Sequence, residues 1–323
     1  MLIGDPEAEM ALLEQRLHYV APETSISESD DIAPSAAPKA RSRGIWGEAW
    51  RRLKRNPGFW FSAVLTAFIL LVAAWPQLFR DRDPRRCILA DSQAPMSAEF
   101  PLGADFQGCD ILTTIVYGAR ASVSVGLLAA FGVTLVGTIL GVVAGYFGGK
   151  VDAVISRLTD IFFAIPLLLG AIVAGQVVAQ RSVLTLTAIL MVFGWTSTAR
   201  IARSATIEVT TKDFVAATRT LGASRPRILL THILPNILAP IIVVVTMAVG
   251  GLIAAEASLS YLGIGLPPDV PSWGRAISDG RTVLKVNPGI LLWPAGALTL
   301  TVFNFLVLGD VVRSTFGAKG TVR

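Results

Sequence analysis

Residues 228–255 read ILLTHILPNILAPIIVVVTMAVGGLIAA and contain no Asp, Glu, Lys or Arg. A helix needs about 20 mostly apolar residues to cross a lipid bilayer, so this stretch is long enough for one transmembrane helix. Five more segments of comparable character lie at 59–79, 121–149, 161–180, 182–199 and 286–309. None alternates apolar and polar residues with a period of two, which favours helices over the strands of a membrane barrel. The sequence therefore predicts an all-α polytopic membrane protein with six transmembrane helices.

The composition of the whole chain supports this prediction. Apolar residues make up 53% of the 323 residues and charged residues 16%, against roughly 25% charged residues in a typical soluble domain. Soluble enzymes, disordered proteins and coiled coils all need more charge than this. The net charge is +5, but the basic residues flank apolar segments. We interpret them as determinants of membrane topology and predict no binding of nucleic acid.

Basic residues also set the predicted orientation. A cluster just before the first span contains Arg51, Arg52, Lys54 and Arg55. Because such clusters stay in the cytoplasm, the first span starts there, and six spans return the C-terminus to the same side. Nineteen of the 28 Lys and Arg residues then lie in the cytoplasm. Residues 80–86 oppose the rule, with four arginines outside and acidic residues between them.

The segments between and around the spans complete the predicted domain organisation. Residues 1–44 form a cytoplasmic tail that we expect to be mostly disordered, since 21–44 are rich in Ser, Pro, Ala and acidic residues and lack aromatic ones. The rest divides into an interfacial helix and first transmembrane helix (45–80), an extracytoplasmic loop (81–117), a five-helix core (118–313) and a second cytoplasmic tail (314–323).

Both cysteines, Cys87 and Cys109, fall in the predicted outer loop. The space outside a plasma membrane is oxidising, so the pair can close a disulfide. Two unrelated thiols remain the alternative, because the sequence does not give the distance between them. No Cys and His residues have zinc-ligand spacing, and His18 and His232 lie in different segments. We therefore predict no metal site.

The connection between the fourth and fifth spans is longer than a link requires and has the pattern of a short helix. Thr210 precedes Asp213 by three residues, a variant of the capping box, and an acidic residue suits the start of a helix. Gly222, followed by Pro226, predicts its end.

We expect about three turns near residues 211–222, with Phe214, Ala217 and Leu221 on one face. Such a helix can pass a displacement to the two spans that flank it. Alternatively, it lies passively among lipid headgroups.

Several residues inside the spans are candidates for packing or gating. Gly137, Gly141 and Gly145 repeat every four residues, so another helix can approach the backbone there, either as static packing or as a moving seam. Pro235 removes a backbone hydrogen bond and can bend its helix. Glu256 lies where the fifth span ends, and an ionisable residue at that depth is a candidate for gating or for the structure of the outer mouth.

Residues 213–224, DFVAATRTLGAS, and residues 232–236, HILPN, resemble the EAA signature of ABC importer permeases. In that signature Glu-Ala-Ala is followed by three residues and Gly, and about ten residues later by Leu-Pro. Ala216 stands where the family usually has Glu, and Thr218 replaces the second Ala. The spacing to Gly222 is intact, so the resemblance implies that the helix and its docking survive without the polar contact of that Glu.

Further blocks resemble the dipeptide, oligopeptide and nickel subfamily of these permeases. They are PLGAD at 101–105, GCD at 108–110, GAR at 118–120, GYFGG at 145–149, AEASLSYLGIG at 255–265 and PSWG at 271–274. The blocks occur in order and cover residues from about 100 to 313. Cys109 stands where the subfamily commonly has Arg, and this departure favours a disulfide with Cys87.

The resemblance implies a type I ABC importer permease fold in a bacterial inner membrane and a role in importing di- or oligopeptides. Its partners would be a homologous second permease subunit, two cytoplasmic ABC ATPase subunits, an extracytoplasmic solute-binding protein and membrane lipid. Each ATPase subunit would receive one coupling helix, here formed by Asp213, Phe214, Ala216, Ala217, Thr218, Leu221 and Gly222. The pathway would open by alternating access to the two sides.

We expect this chain to bind no cofactor, with ATP and Mg²⁺ held by the ATPase subunits. The only Gly-Lys pair, Gly149-Lys150, is followed by Val151, and Ala144 stands where a phosphate-binding loop needs Gly. The alternative is a secondary transporter that works alone on an ion gradient. Such a protein would usually have an internal repeat and an ionisable pair at the membrane midplane, and we find neither in the sequence.

Overall fold

The computed structural model describes residues 45–178 and 180–317, and most of them are helical. The α-helices are α1 (Ile45–Arg55), α2 (Pro57–Ala74), α3 (Ile111–Phe147), α4 (Gly149–Ala164), α5 (Leu167–Val177), α6 (Val183–Thr210), α7 (Asp213–Thr220), α8 (Arg225–Ile228), α9 (Leu234–Tyr261), α10 (Trp273–Gly280) and α11 (Gly289–Gly317). A π-helical turn, Leu229–Ile233, joins α8 to α9 without a break. Within the described ranges there is no β-strand, only one isolated bridge between Ala104 and Asp110.

Six segments are long and apolar enough to cross a membrane, if a bent pair of helices counts as one. Five are single rods: α2, α3, α6, the continuous Arg225–Tyr261 and α11. The sixth consists of α4 and α5, which meet at an angle of 84°. This confirms the predicted all-α class with six transmembrane segments.

Several predicted boundaries differ from those of the helices, and three of the differences have a clear local cause. The segment predicted as one helix over 161–180 is broken, because Ile165 is extended before Pro166 and a residue that precedes proline avoids the helical conformation. The first span ends at Ala74, since Trp75 leaves the helical conformation and a 3₁₀ turn follows. The last begins at Gly289, directly after Pro288.

The helices have two distinct ends. Residues 75–110 and 262–288 lie at one end of the helices, which we call the loop end. Helices α7 and α8 lie at the other end, which we call the coupling end. Helices α3 and α6 run parallel, since Gly132 faces Met191 and Gly145 faces Thr206. Helix α9 runs antiparallel to α3, with Gly126 against Ile253. The broken segment also joins the two ends, because α4 follows the end of α3 and Gly175 of α5 lies against Ile264 at the loop end.

The glycine stripe of α3 is buried against α6. A Cβ atom on Gly141 would lie 2.3 Å from the carbonyl oxygen of Ala199, and one on Gly137 would lie 2.7 Å from that of Trp195. A Cβ atom on Gly145 would lie 2.8 Å from the carbonyl oxygen of Arg203. Lipid tails are as apolar as the side chains, so close van der Waals contact of this kind stabilises pairs of membrane helices.

The first span is held by a polar contact inside the helical bundle. The amide Nδ2 of Asn304 on α11 donates a 2.7 Å hydrogen bond to the hydroxyl of Thr66 on α2. Helix α1 contacts both α2 and α11, and its Ala49 and Leu53 are buried. On its exposed side, the ammonium group of Lys54 lies 5.1 Å from the ring centre of Trp50.

The glycine contact gives a matched pair of variants. We expect Gly141→Ala to lower the stability of the folded protein by about 1–3 kcal/mol, because the added methyl group forces α3 away from α6. Gly296→Ala is the control, since nothing lies within 4 Å of a Cβ at that helical position. Thermal unfolding in detergent or nanodiscs compares the two, and equal midpoints would contradict the prediction.

Candidate functional site

Helix α7 begins at Asp213, but the predicted capping box is not formed. The residue before the helix is Lys212, and its side chain makes no capping bond. The hydroxyl of Thr210 instead donates to the carbonyl of Ile207, because α6 extends as far as Thr210 and uses that side chain at its own end. The two helices are therefore separated by only two residues.

Helix α7 has eight residues, or about two turns, and not the three that we predicted. It ends as predicted at Gly222, whose φ of +80° is a backbone conformation that glycine adopts without strain. The amide of Ala223 donates to the carbonyl of Thr218, as expected for a glycine-terminated helix. Pro226 does not end α7 but lies in the first turn of α8.

One side of α7 is seated on the membrane helices through Val215. This side chain is completely buried, in a cluster with Ala202 of α6, Ile228 of α8, and Ile237 and Ile241 of α9. Val142 and Tyr146 at the end of α3 pack against the same cluster. Helix α7 is thus in contact with a core to which three spans contribute.

The role of Val215 was not predicted from the sequence. A usable signal existed, since Val215 is the only β-branched aliphatic residue in α7. The predicted face, with Phe214, Ala217 and Leu221, is exposed in the structure.

The exposed face of α7 carries the residues of the predicted signature. The side chains of Phe214 and Leu221 are 43% and 87% exposed, and Ala216 and Ala217 are also exposed. The hydroxyl of Thr218 donates to the carbonyl of Phe214, so it is used within the helix. Ala216, at the position where the family usually has Glu, presents a methyl group between these apolar side chains.

Two ion pairs tie the broken span to α6 near the coupling end. Arg203 donates to both carboxylate oxygens of Asp152, and Arg200 donates to Asp160 at 2.9 Å. The guanidinium of Arg200 also lies 3.9 Å from the ring centre of Phe163. A cavity of about 350 Å³ lies between α3, α4 and α6 beside these pairs.

The loop end is tied together covalently. Cys87 and Cys109 form a disulfide with their Cα atoms 4.3 Å apart. Asp110 accepts from the amides of Leu112 and Thr113 at the start of α3, and it also pairs with Arg80 at 2.9 Å. The segment that follows the first span is thereby fixed to the first turn of α3.

A second cavity of about 350 Å³ lies beside the disulfide and is lined by groups of both charges. Burial raises the pKa of Asp105, and the nearby charge of Asp279 adds to the rise. Burial also raises the pKa of Asp279, against the opposing effect of Arg275, whose Nε lies 3.6 Å away. Both carboxyl groups remain partly exposed to the cavity.

Comparison with known proteins identifies the family. Residues 137–314, which include the glycine stripe, α7, α9 and most of α11, match the model of the binding-protein-dependent transport system inner membrane component. The chain belongs to this family. Residues 44–95 also match the N-terminal TM domain of oligopeptide transport permease C. The predicted family, the permease components of ABC importers, is therefore confirmed.

Individual relatives cover most of the permease. It is 34% identical over 279 residues to the oligopeptide transport system permease protein OppC of Bacillus subtilis, covering 86% of this chain and 91% of that one. It is 37% identical over 283 residues to the dipeptide transport system permease protein DppC of Alkalihalophilus pseudofirmus, covering 85% and 90%.

A solved structure of the MetNI methionine ABC transporter in an inward-facing conformation has the same fold. It aligns with a TM-score of 0.52 at 19% identity, and the alignment covers 62% of this chain and 96% of that chain. Because the identity is low, this likeness supports the fold alone. The function as an importer permease, and not as a secondary transporter, follows from the family.

The buried contact of α7 gives a second prediction. Val215→Ala should destabilise the permease by about 1–3 kcal/mol, because it removes two methyl groups from a filled cluster. The control is Leu221→Ala, since the side chain of Leu221 is 87% exposed and makes little buried contact within this chain. Thermal unfolding of the purified permease measures both, and a loss of stability at Leu221 that equals the loss at Val215 would contradict the assignment.

The disulfide gives a third prediction. Replacing both cysteines, Cys87→Ser with Cys109→Ser, should lower stability by about 3 kcal/mol, because the bond closes a loop of 22 residues and restricts the unfolded chain. Treating the unaltered permease with a reductant should lower its unfolding midpoint to that of the double variant. A midpoint that responds to neither change would show that the bond contributes nothing.

Proposed function

We propose that this permease forms half of the translocation pathway of an importer for di- or oligopeptides, driven by separate ATPase subunits that hold α7. The single observation that supports it most is the two-sided character of α7. This helix is fixed to the membrane helices by Val215 and presents Phe214 and Leu221 to the outside. Large apolar side chains exposed at the end of a membrane protein are typical of an interface with another protein.

In the proposed orientation the coupling end and both termini face the cytoplasm. The basic residues of α1 precede the first span, and Arg219, Arg225 and Arg227 are exposed on and after α7. Positive charge on this side agrees with the rule for membrane topology. The disulfide at the other end then lies outside, where oxidising conditions preserve it.

The proposed mechanism is alternating access by rigid-body movement. ATP and Mg²⁺ would be bound by the partner ATPase subunits, and their closure would displace α7. Because only two residues separate α7 from α6, and because Val215 is buried in one cluster with residues of α8 and α9, a displacement would reach both flanking spans. The glycine contact passes the movement of α6 to α3, so packed helices move together and do not bend independently.

The partners follow from the same proposal. A homologous second permease subunit would complete the pathway within the membrane. A solute-binding protein would deliver the substrate at the loop end. Peptides are the proposed substrate because relatives that match most of the chain are named as oligopeptide and dipeptide permeases.

The exposed face of α7 gives the fourth prediction. Phe214→Ser combined with Leu221→Ser should reduce co-purification of the ATPase subunits by at least about tenfold, because two apolar anchors are lost from the interface. The amount of permease in the membrane should not change, since neither side chain is buried within this chain. The control is Leu89→Ser, which alters an equally exposed leucine at the loop end.

Uptake of a labelled peptide by the reconstituted complex completes the test. We expect uptake to require ATP and all partner subunits and to fall in parallel with ATPase binding in the double variant. Uptake by this chain alone would overturn the proposed mechanism. ATP-driven uptake of another solute, with peptides excluded, would overturn only the substrate class.

A further inference from the structure

Glu256 is a buried carboxyl group that the coupling mechanism does not use. It lies on α9 near the loop end, and none of its surface is exposed. The hydroxyl of Ser260, one turn further along α9, donates a 2.7 Å hydrogen bond to its Oε1 atom. Within the described residues no cation pairs with this group, and Oε2 has no hydrogen bond that meets normal geometry.

Two serines near this carboxyl group accept hydrogen bonds from the start of α10 and from the segment before it. The hydroxyl of Ser260 also accepts from the amide of Leu266 at 3.3 Å. On α3, the fully buried hydroxyl of Ser122 lies beside the Glu256 carboxyl group and accepts from the amide of Trp273 at 3.3 Å. Ser122 receives that bond as an acceptor, so its own hydroxyl proton remains free to be donated.

Helix α10 fits tightly into the position that these bonds define. The indole Nε1 of Trp273 donates to the carbonyl of Ile115 on α3 at 2.9 Å. A Cβ atom on Gly274 would lie 2.3 Å from the carbonyl oxygen of Ala257, the residue after Glu256. The start of α10 therefore contacts α3 through Trp273 and contacts α9 at the residue that follows Glu256.

A carboxyl group in apolar surroundings without a cation acts through hydrogen bonds and not through an ion pair. We propose that Glu256 is a positioning residue that holds α10 and residues 262–272 across the loop end through Ser260 and Ser122. In this role it makes α3, α9 and α10 one rigid body during transport. The transport part rests on the proposed function, whereas the structural part does not.

Hydrogen exchange of the assembled importer in nanodiscs tests the positioning directly. We expect Glu256→Leu and Ser260→Ala to speed amide exchange within 262–280 by about tenfold, because buried donors lose their acceptors. Exchange in α6 should not change, and peptide uptake should fall with the local protection. Glu256→Gln keeps an acceptor oxygen of the same shape and should preserve both. The matched control is Ser258→Ala, since Ser258 bonds only to a carbonyl of its own helix.

Several results would overturn the proposal. Unchanged exchange within 262–280 in both Glu256→Leu and Ser260→Ala would show that the carboxyl group does not position α10. Equal acceleration in α6 would reduce Glu256 to a residue for global stability. A Glu256→Gln variant as defective as Glu256→Leu would show that charge is required. The exchange readout needs no substrate, so a wrong substrate class would leave it unaffected.

Discussion

The contact between α3 and α6 is the constraint on which the remaining structure depends. At Gly141 the backbone of α3 comes so close to the carbonyl of Ala199 that no side chain fits between them. In lipid, helices gain little from burying apolar surface against one another, and close packing replaces that driving force. The pair is therefore packed backbone against backbone. Since α6 leads into α7 after two residues, a displacement of α7 in the proposed mechanism would act first on this pair.

Helix α7 has one buried side and one exposed side. Val215 is buried in the permease, while the adjacent residue, Phe214, is exposed. Neighbouring positions on a helix point about 100° apart, so a helix of two turns can present one face to the membrane helices and another to a partner. Ala216 lies on the exposed side without a polar group. In the proposed docking, this position would therefore offer an apolar contact in place of the carboxylate of the usual signature.

The features that depend on local composition were predicted from the sequence. The features that depend on the direction of a helix, the burial of a side chain or the distance between two residues were not. Segments without charge gave the six membrane crossings, and Gly222 gave the end of α7 because only a few residue types adopt its backbone conformation. The same scan could not show that Pro166 turns one crossing through 84°. It also could not separate the buried Val215 from the exposed Phe214, or show that Cys87 meets Cys109.

The two ends of the bundle differ in how they are held. At the loop end, the disulfide, the capping of α3 by Asp110 and the contact of Arg85 with Asp269 join the loops to one another and to the start of α3. Because α3 also carries the glycine contact, the loop end is attached to the pair of α3 and α6.

Helix α4 is attached differently. Thr159 is its single buried residue, and its contacts with α6 include ion pairs with Arg200 and Arg203 that remain partly exposed. Ion pairs in contact with solvent contribute about 0–1 kcal/mol each, because water competes for both partners. Together with the break at Pro166, this leaves α4 and α5 held to α6 through side-chain contacts, whereas α3 is held to α6 by the close approach of the two backbones.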